Sequence, residues 1–517
     1  MTEQLEKDSE LLRKLGYHQE LKRAMSGFSN FAISFTIISI LSGCLTLFSF
    51  GLSSSGTTAA SIGWPIVSIL VMSVALGMAE ISSAYPTAGG LYYWASKLGG
   101  AGWGWFTAWF NLIGQVAVTA GIDYGLAQFV DALLNQFVPG VPATGQSGAV
   151  TTLSIFAVIL LIQAVVNFMG VNVISLLNSV SAWWHVLGVI FIVGALSFFA
   201  PLHSHPLQFA YGTFHTSSGF PGWYGFLLGF LLAQYTFTGY DASAHVSEET
   251  MNASQSAPRG IILSVAVSAV AGYVLLMGLV AAMPDLTKTM GATNPVLYIL
   301  TTRMGVSVGT SLFLIAIVAQ FFCGTASITS NSRMIYAFAR DNGLPSSHLW
   351  HKINRETHVP VNAIWLAISL AFMLALPALF STVIYAAVTS IATIGLYVAY
   401  VIPVFLRRIH PDRFTPGVFQ LGRWSSLVGW IAVGWTVLIC ILFMLPTTRP
   451  INLTDFNFTP LVLLIAFALL VPWYLISVRH WFKGPISEFT GGLSGELDYP
   501  SGPLVDGLTS STMRLED

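Results

Sequence analysis

The sequence predicts an all-α integral membrane protein with twelve transmembrane helices, of which the first and the sixth are interrupted. Charged residues make up 8% of the 517 positions and hydrophobic residues 54%, with a mean hydropathy of +0.72. A soluble domain carries about 25% charged residues, so this chain has too few of them to cover a water-exposed surface. Twelve segments are long and apolar enough to cross a bilayer, for which about 20 residues are needed.

The candidate spans follow one another along most of the chain, separated by polar connections. They are identified as long apolar runs with few charged residues. The third, eighth and tenth are longer than one bilayer crossing requires, which is typical of tilted helices. In chain order the spans cover residues 27–53, 60–83, 103–136, 150–169, 179–200, 223–247, 260–283, 306–338, 361–379, 381–406, 425–446 and 458–478.

The 21 Lys and Arg residues divide unevenly between the two ends of these spans. If the N-terminus is cytoplasmic, only Lys288, Arg303 and Arg449 lie outside, and all the others lie inside. This asymmetry obeys the positive-inside rule. We therefore expect a multi-pass protein of the cell membrane with both termini in the cytoplasm.

Two spans contain residues that a continuous membrane helix rarely has at its centre. The first reads as a helix except at Ser42-Gly43-Cys44, and the sixth is interrupted from Phe237 to Asp241. Within a bilayer, unwound backbone is tolerated only where protein or a water-filled cavity satisfies its polar groups. Paired interruptions in two halves of a polytopic protein point to the central binding site of a transporter.

Five fragments, in matching order and topology, resemble the amino acid–polyamine–organocation transporter superfamily, and specifically its amino acid/choline transporter branch. They are QELKR at 19–23, AEISSAYPTAGGLYYW at 79–94, FTGYDASAH at 237–245 with SEET at 247–250 and APRG at 257–260, RDNGLP at 340–345, and TIGLY at 393–397. The resemblance implies the leucine-transporter fold, in which two five-helix units form an inverted repeat. It also implies secondary uptake of amino acids or related amines.

The domain organisation follows from the parity of the spans. A unit of five crossings is odd, so a second unit of five has the opposite orientation. We expect a cytoplasmic segment at 1–24, a first repeat unit at 25–200 with helices 1–5, and a second at 201–408 with helices 6–10. Helices 11 and 12 at 409–480 lie outside the repeat, and a polar cytoplasmic tail follows at 481–517.

The interruption in the first span is a candidate site for a substrate carboxylate. Where a helix stops and restarts, unpaired N–H groups and the half-helix dipole favour an anion. We expect Ser42, Gly43 and Cys44 to contact the carboxylate, with Gly43 allowing close approach of the backbone. The alternative is that these small residues serve a close helix crossing.

The sixth span offers the opposite polarity, because freed carbonyls around Phe237, Thr238 and Gly239 would face a substrate ammonium. Asp241 adds a negative charge whose cost inside a membrane argues for a partner. That carboxylate would contact the amine or, instead, cap the restarting half-helix. Phe237 is the expected gate by its position in the family, with Tyr240 as a further aromatic gate.

Span three carries Asn111, Gln115, Thr119 and Asp123 at four-residue spacing, which places one polar stripe on one helix face. Such a stripe faces protein or water rather than lipid. Gln115 is therefore a candidate substrate contact, although tight helix packing explains the stripe equally well.

His185 in span five is the candidate for proton coupling. In some proton-coupled members of the superfamily a Lys occupies the matching position, and an imidazole titrates at about pH 6.5. The alternative is a neutral histidine that bonds between helices. Sodium coupling through Thr325, Ser327 and Thr329 of span eight is the competing hypothesis, although such hydroxyls often bond their own helix carbonyls.

The sequence contains neither a phosphate-binding loop nor a metal-ligand cluster, which argues against an enzyme and against ATP-driven transport. We expect a proton-coupled permease for an amino acid or related amine, with no cofactor and no nucleic-acid partner. A zwitterion is preferred, because a substrate without a carboxylate leaves the anion site empty. The alternatives are sodium-coupled or exchange transport, choline or polyamine substrates, and a membrane nutrient sensor that does not transport.

Overall fold

The computed structural model describes residues 2–142, 145–380, 384–451 and 456–485. These residues are helical apart from their connections, and no strand occurs among them; Met25 and Thr250 form an isolated parallel bridge. The start of predicted span ten, at 381–383, lies outside the described residues, and so does the predicted tail beyond residue 485.

The helices of the described residues are numbered in chain order. The first part of the chain forms α1 (Thr2–Lys14), α2 (Gly27–Ile38), α3 (Ile40–Thr46), α4 (Phe48–Ser55), α5 (Trp64–Ala84), α6 (Gly90–Gly99), α7 (Ala101–Phe137), α8 (Gly145–Phe168), α9 (Val171–Phe199), α10 (Pro206–Gly212), α11 (Gly222–Leu228), α12 (Phe230–Thr236) and α13 (Ala242–His245). The second part forms α14 (Ala253–Ala282), α15 (Leu286–Gly291), α16 (Pro295–Met304), α17 (Val306–Arg340), α18 (Ser347–Trp350), α19 (Val361–Ala375), α20 (Ile384–Ile409), α21 (Ser425–Met444), α22 (Thr459–Trp473) and α23 (Arg479–Trp481).

Ten helical segments of the described chain are long and apolar enough to cross a membrane. They are α2 with α3, α5, α8, α9, α14, α17, α19, α20, α21, and α22 with the turn and short helix that follow it. The two remaining predicted spans correspond to α7, a helix of 37 residues that carries the polar stripe, and to the divided segment α11–α13. The total of twelve spans therefore stays a prediction.

The predicted span boundaries agree with the helices to within a few residues in most places. The clearest exceptions are spans five and seven, predicted at 179–200 and 260–283, which begin earlier as α9 at Val171 and α14 at Ala253. The first turns of both helices contain polar residues, so they are not counted in an apolar run although they are helical.

The interrupted first span lies at the centre of the molecule. In the apolar 18-residue core of the segment Gly27–Thr46, 89% of the residues are buried by protein, against 11% in the corresponding core of Thr459–Trp481. An apolar helix that protein leaves uncovered is expected to face lipid, so the span with α22 lies at the periphery. Helices α7 and α20 approach closely where glycines meet, since a Cβ on Gly395 would lie 2.9 Å from the Gly114 Cα.

Candidate functional site

The first interrupted span is broken at Ser39, where the backbone is left-handed with φ 35° and ψ 82°. Helix α2 ends just before this residue and α3 begins just after it. The Ser39 carbonyl accepts the amide hydrogens of Ser42 and Gly43 at 2.8 and 2.9 Å. The amides of Ile40 and Leu41 have no acceptor among the described residues, as is usual in the first turn of a helix.

The predicted position of this break, Ser42-Gly43-Cys44, is wrong, because all three residues lie inside α3. Gly43 packs so closely on Thr236 that a Cβ there would lie 2.6 Å from the Thr236 hydroxyl oxygen. Gly43 therefore fits the alternative of a close helix crossing. The left-handed residue is Ser39, which sequence reasoning missed because that conformation normally favours glycine.

The second interruption lies between Thr236, the last residue of α12, and Ala242, the first of α13. Gly239 in this non-helical segment has φ 89°. A Cβ on Gly239 would lie 2.9 Å from the Cβ of Ile37, two residues before the break at Ser39. The two interruptions therefore lie side by side, although about 200 residues separate them in the chain.

Some carbonyls of the second interruption are free of hydrogen bonds. The Thr238 hydroxyl donates to the Tyr235 carbonyl at 2.7 Å. The carbonyls of Thr236 and Thr238, by contrast, accept no bond from any donor in the described residues. Unpaired carbonyl oxygens are the groups that bind an ammonium or a cation at a broken membrane helix.

The two predicted gate residues, Phe237 and Tyr240, are both fully buried. The Phe237 ring lies 4.8 Å from the Trp64 ring, and its carbonyl accepts the Tyr397 hydroxyl at 2.5 Å. Tyr240 packs against the rings of Tyr397 and Tyr400 at 6.3 and 4.8 Å. Both side chains belong to the core in this conformation, and their gating role stays a prediction.

Asp241 is fully buried and is hydrogen-bonded by protein alone. Its Oδ1 accepts the Tyr400 hydroxyl at 2.6 Å, and its Oδ2 accepts Gln115 Nε2 at 2.9 Å and lies 3.1 Å from His245 Nε2. No side-chain bond from Asp241 caps α13, so the capping alternative is wrong. Both oxygens of the carboxylate therefore already have partners within the protein in this conformation, and the Gln115 Nε2 donates to the same carboxylate.

His185 reaches the break in the first span. Its Nε2 lies 2.7 Å from the Ser39 hydroxyl and its Nδ1 lies 2.8 Å from the Ser181 carbonyl. A carbonyl only accepts, so Nδ1 carries a hydrogen, whereas the Ser39 hydroxyl can donate to Nε2 or accept from it. The fully buried ring therefore connects α9 to the residue where α2 and α3 separate.

The candidate sodium ligands of α17 are bonded within the protein. The Thr325 hydroxyl donates to the Phe321 carbonyl at 2.9 Å, as the alternative of bonding within the helix predicts. Thr329 donates to the Asn167 Oδ1 at 2.7 Å and to the Thr325 carbonyl at 3.0 Å. Ser327 lies 2.8 Å from the Thr119 hydroxyl of α7. All three hydroxyls therefore have hydrogen-bond partners within the protein.

The polar stripe of span three faces neighbouring helices rather than lipid. All four members are buried: Asn111, Gln115, Thr119 and Asp123. Thr119 contacts Ser327 of α17. Asp123 contacts α8, where its Oδ1 accepts a hydrogen bond from the Gln163 Nε2 at 2.8 Å. Tight helix packing therefore accounts for these contacts.

Two buried ion pairs join α17 to the segment after α13. Arg333 donates to the Glu249 Oε1 at 2.9 Å, and Arg340 to the Glu248 Oε1 at 3.1 Å. Sequence reasoning did not identify these arginines as functional residues. A spacing of seven places both arginines on one face of α17, which is the signal that could have found them.

The chain before α2 closes over these ion pairs, on what we call the N-terminal face of the molecule. Arg23 donates to the carbonyls of Ser247, at 3.1 Å, and Thr250. Tyr17 donates to the Asp341 Oδ2 at 2.8 Å. Burial, together with the charge of Asp341, raises the pKa of the Tyr17 phenol well above its usual value. The N-terminal face is therefore sealed by buried polar contacts.

A cavity of about 640 Å³ lies on the opposite side of the two interruptions. It reaches inward to Thr46, at the end of α3, and to Tyr385 of α20, and outward to Asn294. Asp131 is the only charged residue among the described residues that line it. The first interrupted span therefore borders this cavity at the end of α3, whereas buried polar contacts cover the N-terminal face.

Comparison with known proteins gives a consistent result along nearly the whole chain. Residues 25–468 match the family model described as amino acid permease. The chain is 43% identical to the amino-acid permease BAT1 of Arabidopsis thaliana, over 92% of this chain and 96% of that protein. It is 41% identical to the BAT1 homolog of Oryza sativa subsp. japonica, over 93% and 96%. A putative polyamine transporter of Candida albicans is 26% identical, over 93% and 89%.

Proposed function

The chain belongs to the amino acid permease family of membrane transporters, and on that premise we propose that it is a proton-coupled secondary permease. It would import amino acids or related amines by alternating access, with substrate held between the two interrupted helices. The family accounts for a multi-pass membrane protein that transports rather than catalyses. The coupling ion, the direction of transport and the site residues are parts of the proposal.

The contact between His185 and Ser39 is the observation that carries the proton coupling. A neutral His185 accepts the Ser39 hydroxyl hydrogen at Nε2, whereas a protonated ring must donate to the same oxygen. Gain of a proton therefore turns the Ser39 hydroxyl hydrogen away from the ring. Since Ser39 is the residue at which α2 and α3 separate, protonation changes the polar groups offered to the substrate.

The substrate proposed here is a zwitterion. Its carboxylate would be bound by the unpaired amides of Ile40 and Leu41, with Ser42 next in the same turn of α3. Its ammonium would be bound by the carbonyls of Thr236 and Thr238. This arrangement keeps the two interrupted spans as the binding elements but moves the carboxylate contact from Gly43 and Cys44 to the start of α3.

The proposed direction of access is supported by the charge distribution and by the position of the cavity. With the N-terminus in the cytoplasm, the cavity of about 640 Å³ opens outward and the ion pairs of Glu248 and Glu249 close the cytoplasmic side. Substrate would enter through the cavity, and the ion pairs would part to release it. Sodium coupling is less favoured, because Thr325, Ser327 and Thr329 hydrogen-bond within the protein.

Transport into proteoliposomes tests this proposal. Radiolabelled amino acids and amines are offered with a pH gradient alone, a sodium gradient alone, or neither. We expect accumulation with the pH gradient only, and its loss in His185→Ala. His215→Ala, at an exposed histidine, is the matched control and should accumulate substrate like the parent protein.

Three outcomes would contradict parts of the proposal separately. Accumulation that follows the sodium gradient at constant pH would replace the proton by sodium. Uptake seen only with internal substrate would mean exchange. Binding of substrate without any flux would mean a sensor, and intact proton-driven uptake in His185→Ala would remove His185 from the mechanism.

A further inference from the structure

His245, on the short helix after the second interruption, lies between two hydrogen-bond acceptors. Its Nδ1 is 3.1 Å from the Ala88 carbonyl oxygen, and its Nε2 is 3.1 Å from the Asp241 Oδ2. A carbonyl and an ionised carboxylate can only accept. Both contacts are hydrogen bonds only if there is a hydrogen at Nδ1 and another between Nε2 and the carboxylate. A neutral imidazole carries one such hydrogen and an ionised aspartate carries none, so one additional proton is required.

The donors around Asp241 place that additional hydrogen on the imidazole. The carboxylate accepts Tyr400 at one oxygen and Gln115 at the other, in addition to His245. Several donors to one carboxylate favour its ionised form. We propose that Asp241 and His245 form a proton-binding site, occupied in this conformation as an imidazolium paired with a carboxylate.

Asn111 is consistent with this assignment. Its side-chain amide lies 3.1 Å from the His245 Nε2, and its Oδ1 has no hydrogen-bond partner among the described residues. The oxygen and nitrogen of an amide are exchanged by a half-turn of the side chain. With the oxygen toward the ring, the single Nε2 hydrogen of the imidazolium is shared between the Asn111 oxygen and the Asp241 Oδ2.

Among the residues that the structure describes, no competing cation is paired with Asp241 or His245. The titratable groups that face Asp241 are the phenols of Tyr240 on its own segment and of Tyr397 and Tyr400 on α20. The groups of α2 and α7 nearby are serine, asparagine and glutamine side chains. No Lys or Arg of the described residues forms an ion pair with either member. Glu248 and Glu249, farther along, are paired with the arginines of α17.

One residue, Ala88, connects the proton site to the ion pairs of the N-terminal face. Ala88 accepts from the His245 Nδ1 through its carbonyl and donates through its amide to the Glu248 Oε1 at 3.0 Å. Glu248 in turn pairs with Arg340. Parting of that ion pair would admit water to the segment around Ala88, and His245 could then transfer its proton to water as the N–H bond breaks, leaving neutral imidazole.

Loss of the proton from His245 would destabilise the closed arrangement of α13 and the segment around Ala88. A proton lost at Nδ1, the side that faces Ala88, leaves a hydrogen on Nε2, so neutral His245 keeps one hydrogen bond to Asp241 but no longer balances its negative charge. Charge left without a partner in a buried site is strongly unfavourable, and α13 would then move to let water reach Asp241. The site thus couples proton release to opening of the N-terminal face, an inference that rests on the proposed proton-coupled transport.

Nitrogen-15 NMR of histidine-labelled protein in lipid nanodiscs tests the assignment directly. At pH 8.5, about two units above the ordinary histidine pKa of about 6.5, exposed imidazoles are neutral. We expect one imidazolium signal, lost in His245→Gln and in Asp241→Asn but retained in His185→Ala. Asparagine at 241 can still accept from Tyr400 at its oxygen and can donate to neutral His245, so this variant is expected to fold even if His245→Gln does not.

A missing imidazolium signal, or one that Asp241→Asn leaves unchanged, would overturn the inference. A transport assay measures the ratio of proton-driven accumulation to substrate exchange in the same vesicles. This ratio should fall by about tenfold in Asp241→Asn, within the usual range of coupling between two ligands. It should be unchanged in His215→Ala. Failure of proton-driven uptake in the parent protein would contradict the proposed function, whereas the NMR result tests the proton site by itself.

Discussion

The buried pair of Glu249 and Arg333 offers a test of what keeps the N-terminal face closed. Their side chains are 1% and 0% exposed, and one carboxylate oxygen accepts both Arg333 Nη2 at 2.9 Å and Nε at 3.2 Å. Glu249→Gln leaves the guanidinium buried without its counter-ion, which costs about 3–5 kcal/mol. Opening exposes Arg333 to water, so this cost falls on the closed state alone.

The expected effect is a large shift toward the open state. Since about 1.4 kcal/mol corresponds to tenfold in an equilibrium constant, the open population should rise by about 100-fold or more. Hydrogen–deuterium exchange of amides in residues 242–250 reports it, because exchange through an opening equilibrium accelerates by the same factor. Glu356→Gln makes the same chemical change at an exposed site and should shift the opening free energy by less than about 0.5 kcal/mol.

A double variant separates loss of charge compensation from loss of packing. In Glu249→Gln combined with Arg333→Met no uncompensated charge remains, so most of the protection should return. Equal exchange in Glu249→Gln and Glu356→Gln, or no recovery in the double variant, would refute the view that this ion pair holds the face closed.

Three further predictions concern the interrupted spans and the segment that precedes them. Ser39→Ala and His185→Ala should each reduce proton-driven uptake. The double variant should transport no worse than the more impaired single variant, because both residues act through one hydrogen bond. Additive losses of uptake would show that the two residues act independently. Gly43→Val should overpack the crossing with Thr236 and lower stability by about 1–3 kcal/mol. Thermal unfolding measures this, and Thr236→Gly should restore part of the loss. Because the pKa of Tyr17 is raised in the folded protein, the neutral phenol stabilises the fold at pH values below the usual tyrosine pKa of about 10. This stabilisation is lost as the pH rises through the folded-state pKa. The fall in melting temperature between about pH 9 and 11 should therefore be smaller in Tyr17→Phe, and equal slopes would contradict this.

Much of the architecture could be predicted because it depends on properties of contiguous residues. Hydropathy located the helices, including α17 and α21, to within a few residues, since transfer from water to lipid is a sum over neighbouring side chains. The second interruption was located because Gly239 adopts a positive φ that glycine allows. The first break lies at Ser39 but was predicted at Gly43, because a glycine is the residue expected in a left-handed conformation. A left-handed serine leaves no pattern in the sequence.

For the candidate site, the sequence indicated residues but not their partners, and the roles of these residues stay predictions. His185, Gln115 and Asp241 were identified as buried polar residues that need a partner, and all three are buried and bonded. Their partners could not be inferred. Ser39 lies 146 positions from His185, and Gln115 lies 126 positions from Asp241.

The sequence by itself determined that this chain lies in a membrane, that two of its spans are interrupted, and that it resembles a family of amine and amino acid carriers. The tertiary structure alone decided that Gly43 serves packing, that Asp241 is bonded to protein, and that α17 supplies the arginines for Glu248 and Glu249. The physical reason is range: burial in lipid is additive along a helix, whereas a hydrogen bond or ion pair depends on distances of about 3 Å between helices far apart in the chain.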